Sequence, residues 1–347
     1  MKKILKKRIY FSLIVTVVVG AITATVYYFR RKQQSNQEKT SDTTIIAAST
    51  KKLKVPFPDE IVQAFDAFLN TNASAYGDQL MVYVSQGNMV YLYKKGNNKF
   101  DDYAGIASCG KYLAAATIMT LVDEGKINLD TPISTYLPWM QSFEVYNTLT
   151  TREILAHRTT IVADSMFDNT QTLNLDTATR AIASQYPITT VGSAYSSASY
   201  KFAARVAEVV SGQKWESLFQ ERIASKCEMK NTYFNQFSDN PDVGKGAQSS
   251  PNDYTNFMEM MRNDGEYNGT RILSSVSVRE MEKLQLGSYE YGLGCWVFPD
   301  VSEVAAVAAT RTRANLGYSK LGRALKLFQN SPQNLFNFIN FHCKIIF

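Results

Sequence analysis

Histidine is nearly absent from these 347 residues, occurring only at His157 and His342. No G-x-S-x-G stretch accompanies them, so an ordinary Ser-His-Asp hydrolase finds no support. The four cysteines, Cys109, Cys227, Cys295 and Cys343, lie far apart with no C-x-x-C pair. That spacing argues against a zinc site and leaves any disulfide pairing open. Acidic residues are missing from the first 32 positions, which hold eight of the 37 Lys and Arg. Taking those eight away leaves 29 basic against 31 acidic residues, so the net charge of +6 belongs to the N-terminus. The body is near neutral, and no nucleic-acid partner is indicated. At 45% hydrophobic and 20% charged, the chain is globular in composition, with room for one large domain or two small ones.

What the N-terminus does have is length without charge. Ile9 to Phe29 is 21 uncharged residues, enough to cross a bilayer as one helix. Five basic residues precede it and three follow, which orients residues 1–8 as a cytoplasmic stub and the body on the extracytoplasmic side. A cleaved signal peptide is the rival, with small residues at Ala21-Ile22-Thr23-Ala24. The apolar run continues into Val26-Tyr27-Tyr28-Phe29, too long for a usual signal core. The expectation is therefore a single-pass membrane protein with an uncleaved anchor over 9–29. A polar tether follows over 30–55, its stretch Gln33 to Ser49 rich in Ser, Thr, Gln and Lys.

Further on, Ile61, Val62, Phe65 and Phe68 have helical spacing behind acidic Asp59-Glu60. "LMVYVSQGNMVYLYKKG" is two β-rich runs joined around Gln86-Gly87-Asn88, a hairpin signal. Lys111 to Glu124 is apolar nearly all round and stops at Gly125, which predicts a buried helix. Helices are also expected over Ser199–Val210 and Asn252–Arg262, and strand composition returns from Tyr289 to Phe298. Strands at both ends with helices between them suggest an α+β fold with a helical insertion.

The segment "AGIASCGKYLAAATIMTLVDEG" carries two incompatible motifs. Gly105, four residues, then Gly110-Lys111 outlines a phosphate loop. Such a loop needs a buried strand before it and Ser or Thr after the lysine. Here Lys99-Phe100-Asp101-Asp102-Tyr103 leads in and Tyr112 follows, so the nucleotide reading fails. Ser108-x-x-Lys111 is the spacing of a serine nucleophile with a lysine partner. The pattern occurs twice more, at Ser49 and Ser211. Ser49 lies in the tether close to two prolines, and Ser211 at the wrong end of its helix dipole. Ser108 alone opens a long buried helix, whose N-terminus favours a developing anion. By itself the motif is no more than a helix cap beside a surface lysine.

The surrounding blocks decide in its favour. "IASCGKYLAAATIMTLVDEGKINLDTPISTYLPWM", "LTTREILAHRTTI", "AYSSASYKFAARVAEVVSGQKW", "GKGAQSSPNDYTNFMEMMRNDGEYNGTRILSSVSVREM" and "YGLGCWV" stand in order from Ile106 to Val297, within a resemblance that covers roughly residues 57 to 298. Together they resemble the serine β-lactamase and penicillin-binding protein family, in particular its class C-like branch with D-alanyl-D-alanine carboxypeptidases and esterases. The resemblance implies a β-lactamase/transpeptidase-like fold over 56–300, an antiparallel sheet flanked by helices. It implies Ser108 as nucleophile, Lys111 as its partner, Tyr195 as the second catalytic element and Ser197 as a substrate-binding residue where relatives more often have Asn. Which of Lys111 and Tyr195 is the base stays open. His157 would be a packing residue. No cofactor or metal is implied.

One family element is weak. Relatives carry a [KH]-x-G motif on a strand beside the nucleophile; here only Lys320-Leu321-Gly322 has that outline, in a divergent basic tail over 301–347. From Val301 on the only acidic residue is Glu303, against six Lys or Arg, a shift that raises an incomplete domain end or a reading-frame break. With the N-terminal span supplying a membrane anchor, the resemblance implies an acyl-enzyme serine hydrolase acting on a peptide, β-lactam or small ester. A non-catalytic relative that binds cell-wall peptide or a partner, and a truncated inactive product, are the alternatives. Oligomeric state is not readable.

Overall fold

Ile61, Phe65 and Leu69 recur at helical spacing and are buried along one face of the helix Asp59–Asn72. This computed structural model describes residues 54–298 apart from 73–79, 87–88, 98, 163, 169, 187, 189–191, 235–237 and 286–290, and also residues 303–305. The expected membrane span 9–29, most of the tether and the Lys320-Leu321-Gly322 outline lie outside the described residues. Among the described residues no helix is long and apolar enough to cross a membrane.

The helix Asp59–Asn72 covers a small sheet. Strand β1 (Val55–Pro56) lies beside β3 (Met89–Lys95), which pairs on its other side with β2 (Leu80–Gln86). The β2–β3 pair is the expected antiparallel hairpin, with Gln86 opposite Met89. The β1–β3 pair corrects the expectation of a purely antiparallel sheet, because it is parallel. It is only two residues long, and Pro56 has no N–H to donate, which confines it to an edge. Phe65 stacks on Tyr91 with ring centres 4.8 Å apart, joining helix to sheet.

Beneath lies the helix Gly110–Asp123, in which every residue from Gly110 to Leu121 is buried. Its sequence has no polar face, so it can only sit in the middle of the molecule. The helices Ser199–Ser211 and Ser275–Met281 pack against it, and its apolar side chains belong to one continuous core with Phe57, Phe65 and Tyr91. The expected stop at Gly125 is present, with φ +70°. The helix Ser199–Ser211 likewise ends at left-handed Gly212. The helix Pro251–Arg262 starts one residue before the expected point, since Ser250 caps it and Pro251 suits its first position. Helices at Thr151–Leu155 and Leu175–Gln185 open with reciprocal capping boxes, Thr150 with Glu153 and Asn174 with Thr177.

The expected strand from Tyr289 to Phe298 is shorter than composition suggests. Among the described residues of that stretch, Trp296–Phe298 form the strand, paired antiparallel with Glu303–Ala305, while Tyr291 makes an isolated bridge to Trp296. Gly292 donates to Cys295 O at 2.8 Å and Gly294 has φ +82°, so the glycines make a tight turn where the strand would begin. A Cβ on Gly294 would stand 2.7 Å from Lys111 O, so this turn abuts the Lys111 backbone. Cys109, Cys227 and Cys295 are buried thiols outside any disulfide.

Leu113 is fully buried in the central helix, so Leu113→Ala should lose about 2–5 kcal/mol of stability. Denaturant unfolding of the full chain measures this, and a loss below 1 kcal/mol would contradict the central placement of the helix.

Candidate active site

The chain reaches Ser108 under constraint. β4 (Ala104–Gly105) pairs with β5 (Gln248–Ser249), and Ile106 N–H donates to Ala247 O at 2.9 Å. Ala107 then takes φ +46°, a left-handed conformation that a side chain disfavours and that recurs at reactive sites. Residues Ala107–Cys109 form a single 3-10 turn that runs into the helix at Gly110. Ser108 is therefore on a strained turn ahead of the helix, where sequence placed it at the helix start. Gly110 keeps this turn close to its neighbour, since a Cβ there would lie 2.9 Å from Ala247 Cβ.

Lys111 faces back over that turn, with no exposed surface. Its Nζ lies 3.3 Å from Ser108 Oγ, 3.0 Å from Ser197 Oγ and 2.7 Å from Gly244 O. The carbonyl can only accept, whereas each hydroxyl can either donate or accept. An ammonium would fill all three contacts as donor. A neutral amine can still donate to Gly244 O and Ser197 Oγ while its lone pair receives the Ser108 proton. Burial pushes the Lys111 pKa down from 10.5 to about 7, against the opposing influence of Asp242.

Tyr195 and Ser197 come from the segment leading into the helix Ser199–Ser211. Lys111 Nζ lies 4.7 Å from the centre of the Tyr195 ring and 5.5 Å from that of Tyr200. Burial raises the Tyr195 hydroxyl to about 12, with contacts to Ser108 and Tyr291 pulling the other way. Since 41% of the residue's surface is exposed, solvent softens that rise. Its sign is what matters: the phenol is protonated at neutral pH. The structure thus brings Ser108, Lys111, Tyr195 and Ser197 together, and the buried Ser197 hydroxyl contacts Lys111 directly.

His157 takes the expected packing position. It is buried at φ +56°, with ring centres 4.2 Å from Tyr195 and 4.7 Å from Tyr291. Its Nδ1 accepts from Ser196 N–H at 3.2 Å, and burial together with Lys111 holds its pKa well below 6.5. It is a neutral ring that props Tyr195. Trp296 lies nearly parallel to Tyr195, 9° between planes and 6.0 Å between centres, and closes the aromatic wall. Sequence reasoning did not assign Gly244, Tyr291 or Trp296 to the site. The blocks containing them, "GKGAQSS" and "YGLGCW", were the available signal.

Residues 59–322 match the Beta-lactamase family. The chain belongs to that family. The match passes Asp300 and takes in Lys320-Leu321-Gly322. Penicillin-binding protein 4 of Amycolatopsis lactamdurans is 30% identical over 122 residues, covering 33% of this chain and 32% of that protein. The chain thus spans about a third of the length of this curated relative. Among solved structures, a candidate β-lactamase from Bacteroides dorei DSM 17855 has a TM-score of 0.62 at 24% identity, over 72% of this chain and 84% of that one. D-amino acid amidase from Ochrobactrum anthropi SV3 has a TM-score of 0.55 at 18% identity, over 67% and 80%. At these identities the structures show a shared fold, the β-lactamase/transpeptidase-like one.

For this member of the Beta-lactamase family, the buried amine has a thermodynamic signature. Between about pH 7 and 10.5 the unfolded chain carries a proton on Lys111 that the folded chain does not. Stability contributed at this position therefore rises with pH across that window. Urea unfolding of the parent and of Lys111→Met should show the difference between them moving in the parent's favour from pH 7 to pH 9. A constant difference would mean that the folded amine keeps an ordinary pKa.

Proposed function

We propose that the chain is a serine hydrolase that works through an acyl-enzyme on Ser108, with a D-alanyl peptide, a β-lactam or a small ester as substrate. The observation that carries this reading is the buried Lys111 amine, 3.3 Å from Ser108 Oγ with a pKa of about 7. A base titrating near working pH combines availability with driving force. As Ser108 Oγ bonds to the substrate carbonyl carbon, its proton passes to Lys111 Nζ and the carbonyl electrons move onto oxygen. The positive end of the dipole of helix Gly110–Asp123 favours that oxyanion. Collapse of the intermediate breaks the C–N or C–O bond, and the leaving group takes a proton from Tyr195, which is protonated at neutral pH. Tyr195 is restored by the proton held on Lys111, whose amine lies over the same ring. Water then releases the acyl group by the same steps in reverse.

Ser197 orients the substrate amide from its place beside Lys111. The names of the penicillin-binding and amidase relatives support an amide substrate without choosing among amides. The domain works outside the cytoplasm, held by residues 9–29; the 21 uncharged residues flanked by basic ones support this. Alkaline carbonate extraction of membranes should leave the full chain in the pellet, and release into the supernatant would refute the anchor.

A fluorescent penicillin or a fluorophosphonate should label the folded chain, and Ser108→Ala should abolish the label. Lys111→Met should slow labelling by roughly 10²–10⁴-fold. In the parent the rate should rise with pH through about 7, as Lys111 loses its proton. Absence of labelling by either probe in folded protein would instead favour a non-catalytic relative that only binds.

A further inference from the structure

A second group of buried charges lies next to the Lys111 site. Lys201, without exposed surface on the helix Ser199–Ser211, donates at 2.7 Å to both Asn240 Oδ1 and Pro241 O. The next residue, Asp242, is 4% exposed and folds the following turn about itself. Its Oδ1 accepts Lys245 N–H at 3.1 Å and its carbonyl accepts Gly246 N–H at 2.7 Å. A Cβ on Gly246 would stand 2.7 Å from Asp242 O, so the turn closes tightly. At its crest, a Cβ on Gly244 would stand 2.5 Å from Ser197 O. From this crest the Gly244 carbonyl accepts from Lys111 Nζ at 2.7 Å.

We propose that Asp242 is a positioning residue for the Lys111 amine: it builds the turn that presents the Gly244 carbonyl to Lys111 Nζ, and it places a buried carboxylate two residues from that carbonyl. Around Lys111 stand Asp242, Cys109, Lys245 and Asp164, the faces of Tyr195 and Tyr200, and neutral His157. Of these, Asp242 most favours the protonated amine, while Lys245 opposes it. Asp242 itself faces Lys201, Asp168, Lys245 and Lys111, and burial raises its carboxyl pKa. The side chain of Lys245 is engaged by Asp164 and lies 4.0 Å from Asp168, leaving Asp242 as the carboxylate that the Lys111 site feels most. Removing its charge makes Lys111 lose its proton at lower pH.

The catalytic meaning of this inference rests on the base role proposed for Lys111, but the titration can be read without catalysis. In full chain labelled with 13Cε-lysine, the Lys111 resonance is identified by its loss in Lys111→Met. Asp242→Asn keeps an oxygen that can accept Lys245 N–H, so a purely structural role leaves the Lys111 midpoint where it is. We expect instead a fall of about one pH unit, with Asp242→Glu staying near the parent. Should the Asn variant not fold, Asp242→Ser keeps a smaller acceptor for the same turn and gives the same reading. An unchanged or raised midpoint in either folded neutral variant overturns the inference. The pH at which penicillin labelling rises should fall in step. If the midpoint moves and the labelling profile does not, Asp242 holds its role and the base assignment of Lys111 fails.

Discussion

The whole site depends on keeping one lysine amine out of water. An ammonium on the surface would be solvated and inert as a base at neutral pH. Lys111 is different because a helix with no polar face carries it inward, and because two hydroxyls and a carbonyl take the place of solvent. Those three partners matter as much as the burial. Without them the desolvated amine would lack partners, and the folded state would lose stability to an unsatisfied polar group.

The groups around Lys111 come from far apart in the chain. Ser197 is 86 residues on and Gly244 is 133 residues on. The two meet each other as well, in an approach that only a glycine permits at position 244. His157 reaches the same place from another helix end and holds Tyr195 by ring contact. Strained or left-handed backbone accompanies these meetings at Ala107 and His157. Local conformational preference is overridden where side chains have to converge, as expected of sites that a surrounding fold holds in place.

This explains what could be read in advance. The central helix, the hairpin and the helix Ser199–Ser211 were legible because each declares itself by local periodicity or composition. Ser108 and Lys111 were legible by position, three residues apart at the head of an apolar helix, and Tyr195 with Ser197 by their block. The Gly244 carbonyl was not, because a backbone oxygen leaves no mark in a sequence and its role appears only when a distant turn docks. The 3-10 start at Ala107 was hidden for a similar reason: alanine favours helix, and the left-handed residue stands where the chain leaves the β4–β5 pairing and the Ile106–Ala247 hydrogen bond and turns so that Gly110 again meets Ala247. The stretch before Trp296 was misjudged because aromatic composition spoke for a strand, while Gly292 and Gly294 make a turn that fits against Lys111.

The contact between Gly244 and Ser197 has an outcome during the life of the chain. Without the contacts that Ser108, Ser197 and Gly244 make to it, Lys111 in an unfolded chain is an ordinary solvated ammonium. On the proposed reading, an unfolded chain is therefore chemically quiet at Ser108. Labelling of that serine would then report that three distant segments of the chain have come together.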